Sequence, residues 1–155
     1  MREIKETLYE TALAFMEEHK EDFEGVAVAY TNENEVLTSV ELFCVPFSAC
    51  LCAEVGTIFE AIKKKQRITH ILCLQWDNEE ETSEIAAPCG SCLDRLLKYG
   101  DGVKIALDIG NNEIDFFEIA DLLPANWYSM AKENDISDID NETIEHEEEA
   151  SDECE

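Results

Sequence analysis

Two short cysteine-bearing segments, each at the predicted start of a helix, constrain this chain more than any other feature. The first is Cys52-Ala53-Glu54, and the second is Pro88-Cys89-Gly90-Ser91-Cys92. Cys89 and Cys92 are three residues apart, so both thiols project from the first turn of one helix. With this spacing, two sulfurs bind one zinc ion, and Cys52 would supply a third ligand from the other helix. The fold therefore has to bring two helix starts together.

The number of thiols indicates the kind of zinc site. Structural zinc is closed by four protein ligands, whereas catalytic zinc has three and keeps one tetrahedral position open. Cys52, Cys89 and Cys92 make three ligands. The sequence therefore predicts a catalytic Zn²⁺ site.

The carboxylate of Glu54 supports this interpretation. The helix that follows is predicted from about Cys52 to Lys65, and Glu54 precedes Ile58 by four residues. Side chains four residues apart share a helix face, so Glu54 is expected to point toward the packed side. A buried carboxylate is costly without a partner, and a metal site supplies one. The buried stripe of this helix is predicted to be Val55, Ile58, Phe59 and Ile62.

The order of the other elements predicts a layered α/β fold. An amphipathic helix over residues 3–19 opens the chain, and a helix from Pro88 to Tyr99 carries the second cysteine segment. Residues 77–84 are predicted as a polar loop. The predicted strands are 25–30, 36–40, 68–76, 103–109 and 114–119. Helices that alternate with apolar strands are typical of this fold class.

The charge of the chain disfavours a nucleic-acid partner. The 155 residues carry 37 acids against 11 bases, a net charge of −26, and binding a polyanion needs basic surface. Residues 133–155 contain no Lys or Arg and few large apolar residues, so the segment 132–155 is predicted to be an acidic, disordered tail. Residues 1–131 are then one ordinary domain.

The sequence predicts a cytoplasmic protein. No apolar run approaches the roughly 18–20 residues that cross a bilayer, so no membrane is expected as a partner. The charged start MREIKETLYE lacks the apolar stretch of a secretory signal. The odd number of cysteines, seven, then indicates thiols or metal ligands in a reducing compartment rather than a disulfide framework.

The two cysteine segments also carry a family resemblance. Zinc deaminases have H-x-E followed by P-C-x-x-C, and three-cysteine ligation is an accepted variant. The chain has C-A-E, then residues 55–87, then P-C-G-S-C. It resembles the cytidine deaminases, and more closely the small blasticidin-S-deaminase-like branch, over about residues 3–128. The resemblance implies a cytidine-deaminase-like three-layer α/β/α sandwich with a central mixed sheet of about five strands.

The resemblance also implies the reaction. Zinc in this family lowers the pKa of a water, and Glu54 would move protons as general base and then general acid. The expected product is ammonia, released from the exocyclic amine of a cytosine-containing small molecule. Cytidine, deoxycytidine, a modified cytosine nucleoside and an antibiotic of the blasticidin S type all remain open as substrates.

The substrate contacts implied by the family are less complete. Cytidine deaminases grip the ribose with an Asn-x-Glu pair before the zinc helix, and this chain has Ser39-Val40-Glu41 there. Phe43 and Trp127 are candidates for stacking on the base, since aromatic faces are the usual platform. Ala53, inside the motif, is a further candidate contact. Family members of this size are homotetramers or dimers, so a homo-oligomer is expected.

Two alternative functions of other classes remain open. Cys-Gly-Ser-Cys at a helix start resembles a thiol–disulfide motif, although this leaves Cys52 and Glu54 unexplained. A non-catalytic module with structural zinc is the second. Cys50 lies two residues before Cys52 and is predicted to stay outside the metal site, and His70 is predicted as an ordinary strand residue. Cys73 is predicted as a small core residue.

Overall fold

A computed structural model describes residues 3–110 and 113–124 of the chain. These residues belong to one compact unit that ends at Pro124. The predicted boundary between residues 131 and 132, the acidic tail and Trp127 lie outside the described residues. None of the helices within the described part has the length and apolar character needed to cross a bilayer.

The element order follows the predicted alternation closely. The helices are α1 (Ile4–His19), α2 (Glu54–Lys63), α3 (Gly90–Leu96) and α4 (Ile119–Leu122), with 3₁₀ turns at 47–49 and 97–99. The strands are β1 (Gly25–Thr31), β2 (Val36–Val40), β3 (Ile68–Asp77), β4 (Thr82–Ala86), β5 (Lys104–Asp108) and β6 (Ile114–Glu118).

The sheet has six strands in the order β2-β1-β3-β5-β6, with β4 also pairing with β3. The β3–β5 pair is parallel and the other pairs are antiparallel, so the sheet is mixed. The prediction of residues 77–84 as a loop is wrong in part, because residues 82–86 form β4 against the end of β3. β4 is polar and largely solvent-facing on one side, so it lacks the apolar pattern of a buried strand.

Two apolar layers, one on each face of the sheet, make the predicted α/β/α sandwich. Leu8, Ala12 and Met16 of α1 pack on one face against Val26, Val28, Leu72 and Leu74. α2 and α3 pack on the opposite face, where Ile58, Ala61, Leu93 and Leu96 meet Ala27, Ala29 and Ile71. Both cysteine-bearing helices therefore lie in one layer, which is what a shared metal site requires.

The buried face of α2 differs from the predicted stripe. Phe59 and Ile62 are 61% and 44% exposed, so their assignment to the core is wrong. Val55 and Ile58 are buried as predicted. The full buried set is Glu54, Val55, Thr57, Ile58 and Ala61. The helix is rotated so that small Ala61, rather than Ile62, continues the face that begins at Glu54.

A close approach between α2 and β2 holds the start of α2 against the sheet. The Ser39 hydroxyl donates to the Ala53 carbonyl and accepts the backbone N–H of Thr57 at 3.1 Å. Gly56 leaves room for this contact, since a Cβ at Gly56 would lie 2.6 Å from the Ser39 Cβ. Ser39 therefore caps the first turn of α2 from a neighbouring strand.

Gly56→Ala is expected to destabilise the protein. In an unhindered helix, alanine is favoured over glycine by up to about 1 kcal/mol. Here the added methyl group meets the strand-anchored Ser39 Cβ, and such overpacking costs about 1–3 kcal/mol. The free energy of unfolding from denaturant titration measures the effect. Gly102→Ala is the matched control, since nothing lies within 4 Å of its added Cβ. Equal or greater stability of Gly56→Ala would contradict the packing described for α2.

Candidate metal centre

Cys52 follows a loop whose two ends are joined by backbone hydrogen bonds. Leu42 and Leu51 form an antiparallel bridge, with N···O distances of 2.9 Å in both directions. Cys52 follows this bridge directly, and its carbonyl accepts the N–H of Val55 at 3.1 Å. The thiol of Cys52 is thereby placed between an anchored loop and the first turn of α2.

Cys89 and Cys92 flank the first turn of α3. Cys89 is the N-cap residue, with extended backbone angles, and its carbonyl accepts the N–H groups of Cys92 at 2.9 Å and Leu93 at 3.0 Å. The turn fixes both thiols on one side of the helix start. Cys92 is completely buried, whereas Cys52 and Cys89 are exposed. The site is therefore closed below and open toward solvent.

The three sulfurs converge as predicted. The sulfur atoms of Cys52, Cys89 and Cys92 all lie within 4.8 Å of one another. Cys52 Sγ and Cys89 Sγ are 3.6 Å apart. Tetrahedral zinc with Zn–S bonds of about 2.3 Å separates its sulfurs by about 3.8 Å. The donor set and its spacing therefore fit one zinc ion with an open fourth position.

The electrostatics of the thiols also fit a cation. Burial, the neighbouring Cys89 and the charge of Glu54 raise the pKa of Cys52. Burial raises the pKa of Cys92 most, followed by the charges of Glu54, Cys52 and Cys89. Acidic groups crowd one another here. The positive charge of a divalent cation would offset that repulsion and allow the coordinating thiols to be deprotonated.

Cys89 behaves differently from the other two thiols. Burial works to raise its pKa, but the Cys92 backbone N–H and the Cys52 side chain lower it, and the pKa ends below its ordinary value. A helix N-terminus stabilises a thiolate in this way. The pKa of Cys89 is thus the lowest of the three.

Glu54 lies beside the cluster, in the first turn of α2. Its side chain is buried, with 4% of the residue exposed, as the sequence predicted. Its charge raises the pKa values of Cys52 and Cys92. A carboxylate next to a three-ligand metal site is positioned to exchange protons with whatever occupies the fourth position.

Cys73 is a site neighbour that the sequence analysis missed. It is 5% exposed on β3, as predicted for a core residue. Burial raises the pKa of its thiol well above the ordinary value, and the charge of Glu54 and a hydrogen bond with that side chain raise it further. The alternation of side chains along β3 could have predicted that Cys73 faces the site. Cys73 is two residues after Ile71, so it faces the layer that holds α2 and α3.

Cys50 and His70 stay outside the three-sulfur cluster, as predicted. Cys50 Sγ accepts the Cys44 N–H at 3.2 Å and donates to the Cys44 carbonyl at 3.3 Å. His70 packs edge-on against Phe116, with ring centroids 4.9 Å apart, on the sheet face that α1 covers. Within residues 3–110 and 113–124, the three-sulfur cluster contains neither of them.

The described residues predicted to contact the substrate lie at the start of α2, on β2 against it, or on the loop that precedes it. The Ser39 hydroxyl donates to the Ala53 carbonyl at the start of α2 and accepts the N–H of Thr57. Glu41 accepts the Glu24 N–H at 3.0 Å. Phe43 is 68% exposed. The substrate roles of these residues and of Trp127 stay predictions.

Solved structures of cytidine deaminases share this fold. The cytidine deaminase from Bacillus anthracis matches with a TM-score of 0.76 and 28% identity, covering 85% of this chain and 95% of that one. The cytidine deaminase from Burkholderia pseudomallei matches at 0.64 and 22%, covering 79% and 98%. The enzyme from Mycobacterium tuberculosis matches at 0.62 and 21%, covering 81% and 98%. The latter two likenesses show the fold alone.

No protein-family model matches the chain, and no curated protein matches it either. The structural likenesses define a cytidine-deaminase-like fold, and the three-sulfur cluster adds a candidate metal site of the expected kind. Together they support the predicted family. They do not favour its blasticidin-S-deaminase-like branch over any other.

Proposed function

We propose that the chain is a zinc-dependent hydrolytic deaminase that removes the exocyclic amine of a cytosine-containing small molecule and releases ammonia. The observation that carries this proposal is the three-sulfur cluster with a buried carboxylate beside it, built from the starts of two helices. The 28% identity to the cytidine deaminase from Bacillus anthracis supports the same reaction class.

Cys52, Cys89 and Cys92 would hold the ion, and a catalytic zinc supplies Lewis acidity that makes water a nucleophile near neutral pH. Glu54 accepts a proton from the attacking water and delivers it to the pyrimidine ring nitrogen. It then transfers a second proton to the departing amine, so water and the amine become a carbonyl group and ammonia.

The substrate is a free, nucleoside-like small molecule rather than a nucleic acid. A net charge of −26 repels polyanions, and Lys63, Lys64, Lys65 and Arg67 form a short basic cluster rather than an extended basic surface. Cytidine, deoxycytidine or a modified cytosine nucleoside is the favoured substrate class, and a blasticidin-S-type antibiotic is the alternative.

Ammonia release from a panel of amines tests the proposal. The panel contains cytidine, deoxycytidine, N4-substituted cytidines, blasticidin S and free cytosine. We expect turnover with at least one of the cytosine compounds that carry a sugar. Purified protein with one zinc ion per chain and no turnover on the whole panel would contradict the proposed function.

A thiol–disulfide enzyme is a second candidate, favoured by one observation. The pKa of Cys89 is lowered while that of Cys92 is raised, as in many redox dithiols. Metal analysis separates the two functions, because a redox dithiol needs no zinc. Stoichiometric zinc in the purified protein argues for the deaminase, and its absence for the redox protein. A structural zinc module would instead keep zinc and lack turnover.

We further propose that the chain assembles as a homo-oligomer, a tetramer or a dimer. A set of large apolar side chains on the described surface supports it: Leu42, Phe43, Val45, Leu51, Phe59 and Ile62 are between 40% and 88% exposed. Exposed apolar groups of this size commonly mark interfaces. Sedimentation velocity is expected to give a species heavier than the 17.6 kDa chain. A monomer at micromolar concentration would contradict this assignment.

A reducing, cytoplasmic location fits this proposal. Every cysteine in the described part of the chain is free, including the exposed Cys52 and Cys89. Exposed metal-binding thiols persist in a reducing compartment and oxidise outside it.

A further inference from the structure

Cys73 of β3 lies beneath the starts of both helices that position the metal ligands. It packs in one apolar cluster with Ala53, which directly precedes Glu54, and with Leu93, which directly follows Cys92. The candidate metal centre and its carboxylate therefore lie next to this position of the sheet.

The sheet face is closed on one side of Cys73 and open on the other. Ile71, two residues before Cys73 on the same face, is 0% exposed, as is its register partner Ala29. Gln75, two residues after Cys73, is exposed. A ligand that reaches Glu54 therefore meets the apolar core in one direction along β3. Groups attached to that ligand have room only toward Gln75 and the solvent beyond it.

The neighbours of Gln75 fix the direction of its side chain. Leu74 and Trp76 pack against the α1 layer, so Gln75 between them projects to the face that carries α2 and α3. Its register partner on β1 is Gly25, which accepts the N–H of Glu41 at 3.0 Å. A Cβ at Gly25 would lie 3.0 Å from Glu41 Oε2, so the Glu41 carboxylate lies over the glycine. Two polar side chains therefore border Gly25 on this face.

The spacing between Cys73 and Gln75 suits the substituent of a pyrimidine. Residues two apart in a strand are about 6.7 Å apart along it. A pyrimidine whose amine lies at the metal centre spans a comparable distance to the group on its opposite ring nitrogen. The amide of glutamine both donates and accepts hydrogen bonds, as a sugar hydroxyl does. Gln75 is thus placed and equipped to contact a sugar on that ring nitrogen.

We propose that Gln75 is a specificity-determining residue, whose amide hydrogen-bonds a hydroxyl group of the sugar attached to the pyrimidine. The inference rests on the proposed function and deepens it, because it favours a nucleoside that keeps its sugar hydroxyls over the bare base. Gln75 touches none of the reacting atoms, so it contributes to substrate binding rather than to the chemical step.

Equilibrium binding of two pyrimidines that are not deaminated tests this inference. Uridine, the product expected from cytidine, carries the sugar hydroxyls, whereas 1-methyluracil has a methyl group in place of the sugar. Ligand-observed NMR titration of the zinc-loaded full-length chain gives both dissociation constants. Gln75→Met keeps the length of the side chain and removes its polar atoms. We expect it to bind uridine about 2- to 12-fold more weakly, the range for one hydrogen bond, and 1-methyluracil with unchanged affinity.

Steady-state kinetics of Gln75→Met give a second measurement. The KM for cytidine should rise by the same factor while kcat stays within about twofold, since the lost contact is equal in the ground state and the transition state. Ser83→Ala is the matched control. Ser83 pairs with Trp76 across the β3–β4 hairpin, so it lies on the opposite face of the sheet and should not affect either ligand.

Unchanged uridine affinity in Gln75→Met would overturn the proposal, as would equal weakening of uridine and 1-methyluracil. A zinc-loaded unmodified chain that does not bind uridine would also overturn it. Equal losses in Ser83→Ala would assign the effect to the hairpin as a whole and contradict a specific role for Gln75. Failure of the proposed function is recognised separately, by the absence of ammonia release from the unmodified chain. A chain that deaminates cytidine while Gln75→Met binds uridine normally would lose this inference alone.

Discussion

Replacing Glu54 by glutamine is expected to lower turnover by about 10²- to 10⁴-fold, the range for losing a general acid–base group. Glutamine has nearly the same shape as glutamate and keeps the buried position, but it neither accepts the proton of the attacking water nor delivers one to the ring. Zinc content should remain at one ion per chain, because the three sulfurs are unchanged. The measurements are ammonia release on the best substrate of the panel and zinc analysis of the same sample.

Glu60→Gln is the matched control for this substitution. Glu60 lies on the same helix, away from the cluster, where it pairs with Lys63 at 3.1 Å. Removing its charge should leave turnover within about twofold, since surface ion pairs contribute little. Full turnover in Glu54→Gln would remove the carboxylate from the mechanism. Equal losses in both variants would point to a general effect of charge in α2.

Replacing Cys92 by alanine is expected to abolish stoichiometric zinc binding. Cys92 is the buried member of the set, so its loss leaves two exposed sulfurs, one just before α2 and one at the N-cap of α3, to hold the ion. We expect zinc affinity to fall by more than about 100-fold, beyond the loss for a residue that only supports a ligand. Turnover should fall with it. Zinc analysis after dialysis and competition with a chromophoric zinc chelator measure the loss.

Cys50→Ala controls for the general loss of a thiol. Its sulfur bonds to the Cys44 backbone and lies outside the cluster, so zinc content and turnover should be unchanged. If Cys92→Ala retains one tightly bound zinc ion and its turnover, the assignment of that residue as a ligand is wrong. If Cys50→Ala loses zinc, the ligand set has to be redrawn.

Most of the candidate metal centre could be predicted because it depends on the spacing of residues within two short segments. Cys89 and Cys92 are three residues apart, which puts both thiols on one helix turn. The order Cys-Ala-Glu puts the carboxylate of Glu54 near the third thiol. The long-range part, that Cys52 meets the other two thiols, rested on the resemblance of the two-part motif to that of the zinc deaminases. The structure confirms that convergence.

The face of α2 shows where local pattern is insufficient. Phe59 and Ile62 are apolar and match a helical stripe, yet they are exposed, while small Ala61 is fully buried. The choice between two adjacent stripes depends on how closely the helix approaches the sheet. That approach is set by Gly56 against Ser39, a contact between distant parts of the chain. Tertiary packing thus overrides the apolar pattern of the helix.

X-ray absorption at the zinc edge of the purified protein tests the central claim most directly. The account predicts one zinc ion per chain with about three sulfur neighbours at about 2.3 Å and one lighter atom at about 2.0 Å. A protein without zinc, or a zinc ion surrounded by four sulfurs or by lighter atoms alone, would contradict it.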